Sequence, residues 1–138
     1  MENKEVRKQF FYRGNVYYCS LELAMDIIGG KWKAIMLYHL KDGALRSGEL
    51  QRTMSGITNK MFTQTARELE LDGMIERKVY PVVPPKVEYS LTERGQSVLP
   101  IILQLARWGR GYIKIPLLTL RSFPIQPYKQ DGSYSRHS

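Results

Sequence analysis

The stretch RSGELQRTMSGITNKMFTQTARELELDG, residues 46–73, decides the fold. Residues 46–54 read as a short helix. SGI follows as a tight turn around Gly56, and Thr58 is placed to cap a second helix. That helix covers NKMFTQTARELELD and is stopped by Gly73. A short helix, a glycine-containing turn and a second helix form the helix-turn-helix arrangement. At 3.6 residues per turn, Met61, Phe62, Thr65, Ala66 and Leu69 share one arc, expected to face a core. Lys60, Thr63, Gln64 and Arg67 share the opposite arc, with Asn59 at its N-terminal edge.

Directly after it stands KVYPVVPPKVEYSL, residues 78–91. Lys78–Tyr80 and Lys86–Leu91 alternate as strands do, and the hairpin is expected over about 75–91. Pro81, Pro84 and Pro85 lie between the runs. Proline has no N–H for a ladder, so they predict a stiff projecting tip. A hairpin in this position is a wing beside a reading helix. Arginine can hold guanine with two hydrogen bonds, and Gln or Asn can do the same for adenine. Asn59, Lys60, Thr63, Gln64 and Arg67 are therefore the candidate base readers. Arg46, Ser47, Arg77, Lys78 and Lys86 are the candidate contacts to the DNA backbone. The plainer alternatives are a solvated polar helix face and a hairpin that only covers a core. The order of the elements favours DNA.

Working outward, SLELAMDIIGG (residues 20–30) spaces Leu21, Leu23, Ala24, Ile27 and Ile28 as a helix, with Ser20 as its expected cap and Gly29-Gly30 as its stop. KWKAIMLYHLKDG turns Trp32, Ile35, Met36, Leu37 and Leu40 toward a core. A long last helix is expected from about Thr92 to Lys114. On it Val98, Ile101, Ile102, Leu105, Trp108 and Tyr112 form one apolar stripe, flanked by Leu99, Leu103 and Ala106. That is more apolar surface than one small core needs, which points to a symmetric dimer. Pro100 removes one hydrogen bond and is expected to kink this helix. Residues 1–18 are expected to be an N-terminal arm, partly ordered at best. Residues 19–115 form the domain. Residues 116–138 form a tail that Leu117, Leu118, Leu120 and Phe123 could dock.

The 138 residues are one domain's worth of chain. Net charge is +8 and the pI about 9.7, a balance that suits a polyanionic partner. No polybasic run exists: residues 59–90 balance five bases with five acids. Any DNA contact must then come from placed side chains. No run of eighteen apolar residues predicts a membrane span, and the first fifteen residues lack an apolar signal core, so a cytoplasmic protein is expected. Cys19 is the single cysteine, so neither an internal disulfide nor a cysteine-based metal site is expected. His39 and His137 suggest no ligand pair. There is no Ser/His/Asp set, phosphate loop, metal spacing or carboxylate pair, so neither an enzyme nor a cofactor is expected.

Taken together, GGKW at 29–32, LELDG at 69–73 and PPKVEYSLTERG at 84–95 resemble the HxlR-type regulators, winged helix-turn-helix proteins related to the MarR group. The resemblance spans roughly Cys19 to Tyr112. It implies a mainly α fold with a small β-hairpin, and a homodimeric transcription factor on a two-fold symmetric operator. Dimerisation through the first and last helices is implied, with Leu21, Ile101, Leu105, Trp108 and Tyr112 at the interface. Family members often carry an aromatic residue at 47, leucine at 62 and a more polar residue at 71, so the short helix can pack differently in this chain. Certain members sense oxidants or electrophiles through one cysteine at the place of Cys19. Cys19 precedes a predicted helix, whose N-terminus favours the thiolate. The alternatives are a redox sensor and an inert cysteine packed beside Tyr17 and Tyr18. A winged-helix module that binds protein instead of specific DNA is the alternative function; an acidic or apolar reading face would have favoured it.

Overall fold

A computed structural model gives the structure of the chain, described for residues 9–113. The chain divides into two compact units, Met1–Leu99 and Pro100–Ser138. The expected tail and its docking leucines lie outside the described residues.

The first unit opens with a hairpin, although partial order at best was expected there. β1 (Phe10–Tyr12) pairs antiparallel with β2 (Asn15–Tyr17), Phe10 opposite Tyr17. Arg13 and Gly14 turn the chain with φ of 49° and 81°. Two positive φ values match the twist of the flanking strands. Strands of three residues are too short to show alternation, so periodicity could not reveal them. The hairpin is held by its side chains: Tyr17 is buried and donates its hydroxyl to Asp26 Oδ2 at 2.6 Å.

α1 (Ser20–Ile28) begins at Ser20, the residue expected to cap it, and so one residue earlier than expected. Cys19 occupies the N-cap with an extended backbone and makes no side-chain cap bond. Glu22 Oε1 instead accepts the Tyr18 N–H at 3.2 Å. With Tyr17 anchored to Asp26, the chain has to enter the helix at Cys19. α2 (Lys33–His39) buries Met36 and Leu37, and Leu40 is buried just after it. β3 (Leu45–Arg46) is a two-residue strand with no signal in the sequence.

α3 (Ser47–Thr53) buries Leu50, and Met54 after it is buried too. α4 (Asn59–Leu71) starts where Thr58 Oγ1 accepts the Met61 N–H at 3.1 Å, the expected cap. It ends at Asp72 and at Gly73, whose φ of 73° only glycine adopts without strain. β4 (Ile75–Tyr80) and β5 (Lys86–Leu91) form the wing, and β3 joins it in the order β3-β5-β4, all antiparallel. Ile75 faces Leu91, and Leu45 faces Tyr89.

The core of this unit gathers Met36, Leu37, Leu40, Leu50, Met54, Leu69 and Ile75, all under 2% exposed. Each large side chain taken fully out of water contributes about 1.5–3 kcal/mol. Phe62 meets Tyr89 edge-on at 6.1 Å between ring centroids, joining α4 to the wing.

α5 (Glu93–Arg110) starts in this unit. The Thr92 hydroxyl accepts the Gly95 N–H at 3.1 Å and donates to the Gly73 carbonyl. A Cβ on Gly95 would lie 2.1 Å from the Met74 carbonyl oxygen, so this turn requires glycine.

In the second unit α5 remains helical through Pro100. Ile102 is buried, and Ile101, Leu103, Leu105, Trp108 and Tyr112 are exposed. The Trp108 and Tyr112 rings lie 5.1 Å apart.

Candidate nucleic-acid interface

α4 separates its two faces as the sequence predicts, with one exception. Phe62, Thr65, Ala66 and Leu69 are buried. Asn59, Lys60, Thr63, Gln64 and Arg67 are all exposed. Met61, expected on the inner arc, is 39% exposed. It stands in the first turn at the arc's edge, where Phe62 already fills the contact with the wing.

Two of the outward side chains are held by neighbours. Gln51 of α3 donates its amide to Asn59 Oδ1, tying the two helices of the motif. Gln64 Nε2 donates to Glu68 Oε2 at 3.0 Å. Glu68 Oε1 lies 3.0 Å from Lys33 Nζ, which also donates to the Asp26 carbonyl at 2.8 Å. The hydrogen bond from Lys33, and then that from Gln64, holds the Glu68 carboxyl below its ordinary value of 4.5. Lys33 is thus engaged with α1 and α4.

At the start of α3, Arg46 is exposed and Ser47 half-buried. The Arg46 N–H donates to Glu49 Oε1 at 2.9 Å, half of a capping box. On the wing, Arg77 and Lys78 are exposed and Lys86 is half-buried. Lys78 Nζ lies 4.9 Å and Lys86 Nζ 4.6 Å from the Tyr80 ring centroid, within cation–π range. Lys86 also pairs with Glu88 at 3.5 Å, and the Tyr80 hydroxyl donates to Glu88 Oε1 at 3.1 Å. Part of the Lys86 charge is therefore met within the wing. Sequence reasoning missed Tyr80 because cross-strand pairing, Tyr80 opposite Lys86, brings these groups together. A groove of about 560 Å³ runs between α3, α4 and the wing, lined among others by Ser47, Gln51, Asn59, Arg67 and Arg77. Its guanidinium groups and amides are hydrogen-bond donors suited to phosphates and base edges.

The far end of α4 is held by a residue the sequence reading did not single out. Arg13 Nη1 donates to the Leu71 carbonyl at 2.6 Å, and its Nε lies 3.7 Å from Asp72 Oδ1. Tyr12 donates its hydroxyl to the same carboxylate at 2.9 Å. A cation at a helix C-terminus meets the negative end of the dipole and carbonyls that lack partners. The available signal was the Arg13-Gly14 pair, a two-residue turn between aromatic runs.

Cys19 is exposed in the single chain. Leu21 is 65% exposed, and Met25 of the same helix is exposed as well. Among the described residues no group of three His, Cys, Asp or Glu could hold a metal ion, and no helix is long and apolar enough to cross a membrane.

The HxlR-like helix-turn-helix family model matches residues 27–116. The chain belongs to the HxlR family. As an HxlR-family member it is a transcriptional regulator of helix-turn-helix type and not an enzyme. It is 55% identical over 96 residues to an uncharacterized HTH-type transcriptional regulator of Methanothermobacter thermautotrophicus, covering 70% of this chain and 73% of that one. Its fold matches the redox regulator HypR in its oxidized form with a TM-score of 0.67 at 49% identity, over 70% of this chain and 100% of that one. A protein of Porphyromonas gingivalis assigned to the MarR family matches with a TM-score of 0.66 at 34% identity, over 82% and 98%. The fold is the winged helix-turn-helix that the sequence predicted.

Proposed function

We propose that this HxlR-family chain is a sequence-specific DNA-binding regulator that works in the cytoplasm as a homodimer on a two-fold symmetric operator. The observation that carries the reading is the exposure of all five candidate readers, Asn59, Lys60, Thr63, Gln64 and Arg67, beside a projecting wing. Arg46, Ser47, Arg77, Lys78 and Lys86 surround that face and hold phosphates. A second copy covers Leu21 on α1 and, separately, Ile101, Leu105 and Trp108 on α5 with Tyr112 just after it. Their exposure in the single chain supports this, because apolar surface of that extent costs stability in water. The pair sets two reading helices about one DNA turn apart, ~34 Å.

Cys19 is the sensor of this regulator, responding to an oxidant or a small electrophile. Its exposure at the α1 N-cap and the similarity to a redox regulator support this. Alkylation consumes the thiolate. Alternatively, two thiolates of the pair join in a disulfide while the oxidant accepts two electrons.

Selection of bound duplexes from a random pool, with and without an electrophile, tests the whole reading. Arg67→Ala and Gln64→Ala are expected to relax base preference by about 1–3 kcal/mol each. Lys78→Ala is expected to weaken binding to every sequence and flatten its salt dependence. Uniform loss on all sequences for all three variants contradicts the assignment of readers. Sedimentation as a monomer at micromolar concentration contradicts the dimer. Electrophile-dependent release of DNA that persists in Cys19→Ser removes the sensor.

A further inference from the structure

The Lys33–Glu68–Gln64 chain bears on specificity. A glutamine amide carries an oxygen acceptor on one side and two N–H donors on the other, and a half-turn exchanges them. An ionised carboxylate only accepts. With Glu68 Oε2 at 3.0 Å, the NH₂ side of Gln64 has to face Glu68. Such a contact four residues apart is common on solvated helices and by itself says little. Here the other carboxylate oxygen is taken from outside the helix, by Lys33 at 3.0 Å. Lys33 is itself only 18% exposed and bonded to the Asp26 carbonyl. The carboxylate is thus held between two donors on two elements. Its depressed protonation keeps it an acceptor at neutral pH.

We infer that Glu68, held by Lys33, is a positioning residue that fixes the sense of the Gln64 amide, so that Gln64 accepts only one order of acceptor and donor on a base edge. Once the first N–H is engaged, the amide keeps its oxygen and a second N–H. That pair complements adenine, which offers an N6 donor beside an N7 acceptor in the major groove. Lys33 has a second effect: it neutralises a carboxylate that would otherwise repel phosphates near this face. The inference rests on Gln64 being a base reader, as proposed above.

The test uses the full chain and the best duplex recovered by selection from a random pool, together with every single-base substitution of that duplex. Gln64→Ala is expected to lose roughly tenfold preference at one base pair. Glu68→Gln keeps the size of the side chain, but its amide can donate or accept, so Gln64 is free to turn. Preference at the same base pair is expected to fall roughly threefold or more, with the other positions unchanged. Lys33→Met, which leaves the carboxylate but frees it, moves the same base pair. The double variant Gln64→Ala with Glu68→Gln shows no loss at that position beyond Gln64→Ala alone, an outcome that a general structural role does not produce. If Gln64→Ala relaxes one base pair while Glu68→Gln leaves it intact, or shifts all positions evenly, the positioning role is wrong and the reader stands. If Gln64→Ala changes no base preference, the reader and its positioning both fall.

Discussion

The hairpin at Phe10–Tyr17 and the wing at Ile75–Leu91 share a backbone motif and serve opposite ends. The first has three-residue strands and a two-residue turn, and its tip reaches another element: Arg13 donates to the Leu71 carbonyl at the end of α4. The wing has six-residue strands and a third strand at its side, and its tip faces outward with Val83 fully exposed. Tip chemistry explains the difference. A guanidinium brings donors, and a helix C-terminus offers acceptors that lack partners. Three prolines among residues 81–85 leave the wing tip few donors and a rigid path. α4 is thus held at its end by one hairpin and braced along its buried side by the other.

The largest test of this contrast is Phe62→Ala, which removes the ring against Tyr89 at the wing's root. Chemical denaturation is expected to show a loss of about 3–5 kcal/mol. A loss below about 1 kcal/mol means that the wing is braced elsewhere. Next comes Arg13→Ala. The Arg13 side chain is 43% exposed, so the expected loss is smaller, about 0.5–1.5 kcal/mol, with faster hydrogen exchange confined to the last turn of α4. Unchanged exchange there means that the tip does not grip the helix. The smallest is Val83→Ser, expected to shift stability by no more than about 0.5 kcal/mol, since the Val83 side chain is fully exposed. A clear destabilisation on this change means that the tip is folded against the protein and is no wing.

What was legible in the sequence follows the length of each element. The thirteen residues of α4 carry enough periods to sort Phe62 and Leu69 inward from Lys60, Gln64 and Arg67 outward. Thr58 and Gly73 marked its ends through local chemistry that needs no partner. Met61 was misplaced because residues at the edge of an arc are settled by what stands beside them. β1, β2 and β3 were missed because two or three residues show no alternation, and their partners lie far away or across a turn. Ser20 lost the cap position to Cys19 because a tertiary contact, Tyr17 to Asp26, set where the chain enters α1.

The same division holds for the candidate interface. The residue types on the outward face, the helix that carries them and the wing beside it are set by periodicity and turn chemistry, both properties of neighbours in the chain. The state of each side chain is not. Lys33 and Glu68 stand thirty-five positions apart, and Arg13 and Leu71 fifty-eight. No local pattern encodes those meetings, because hydrogen bonds between such groups form only after the apolar faces have packed and brought their elements within about 3 Å of contact. Local spacing set the pairs within one helix, such as Gln64 with Glu68, and tertiary structure decided which polar groups of different elements hold one another.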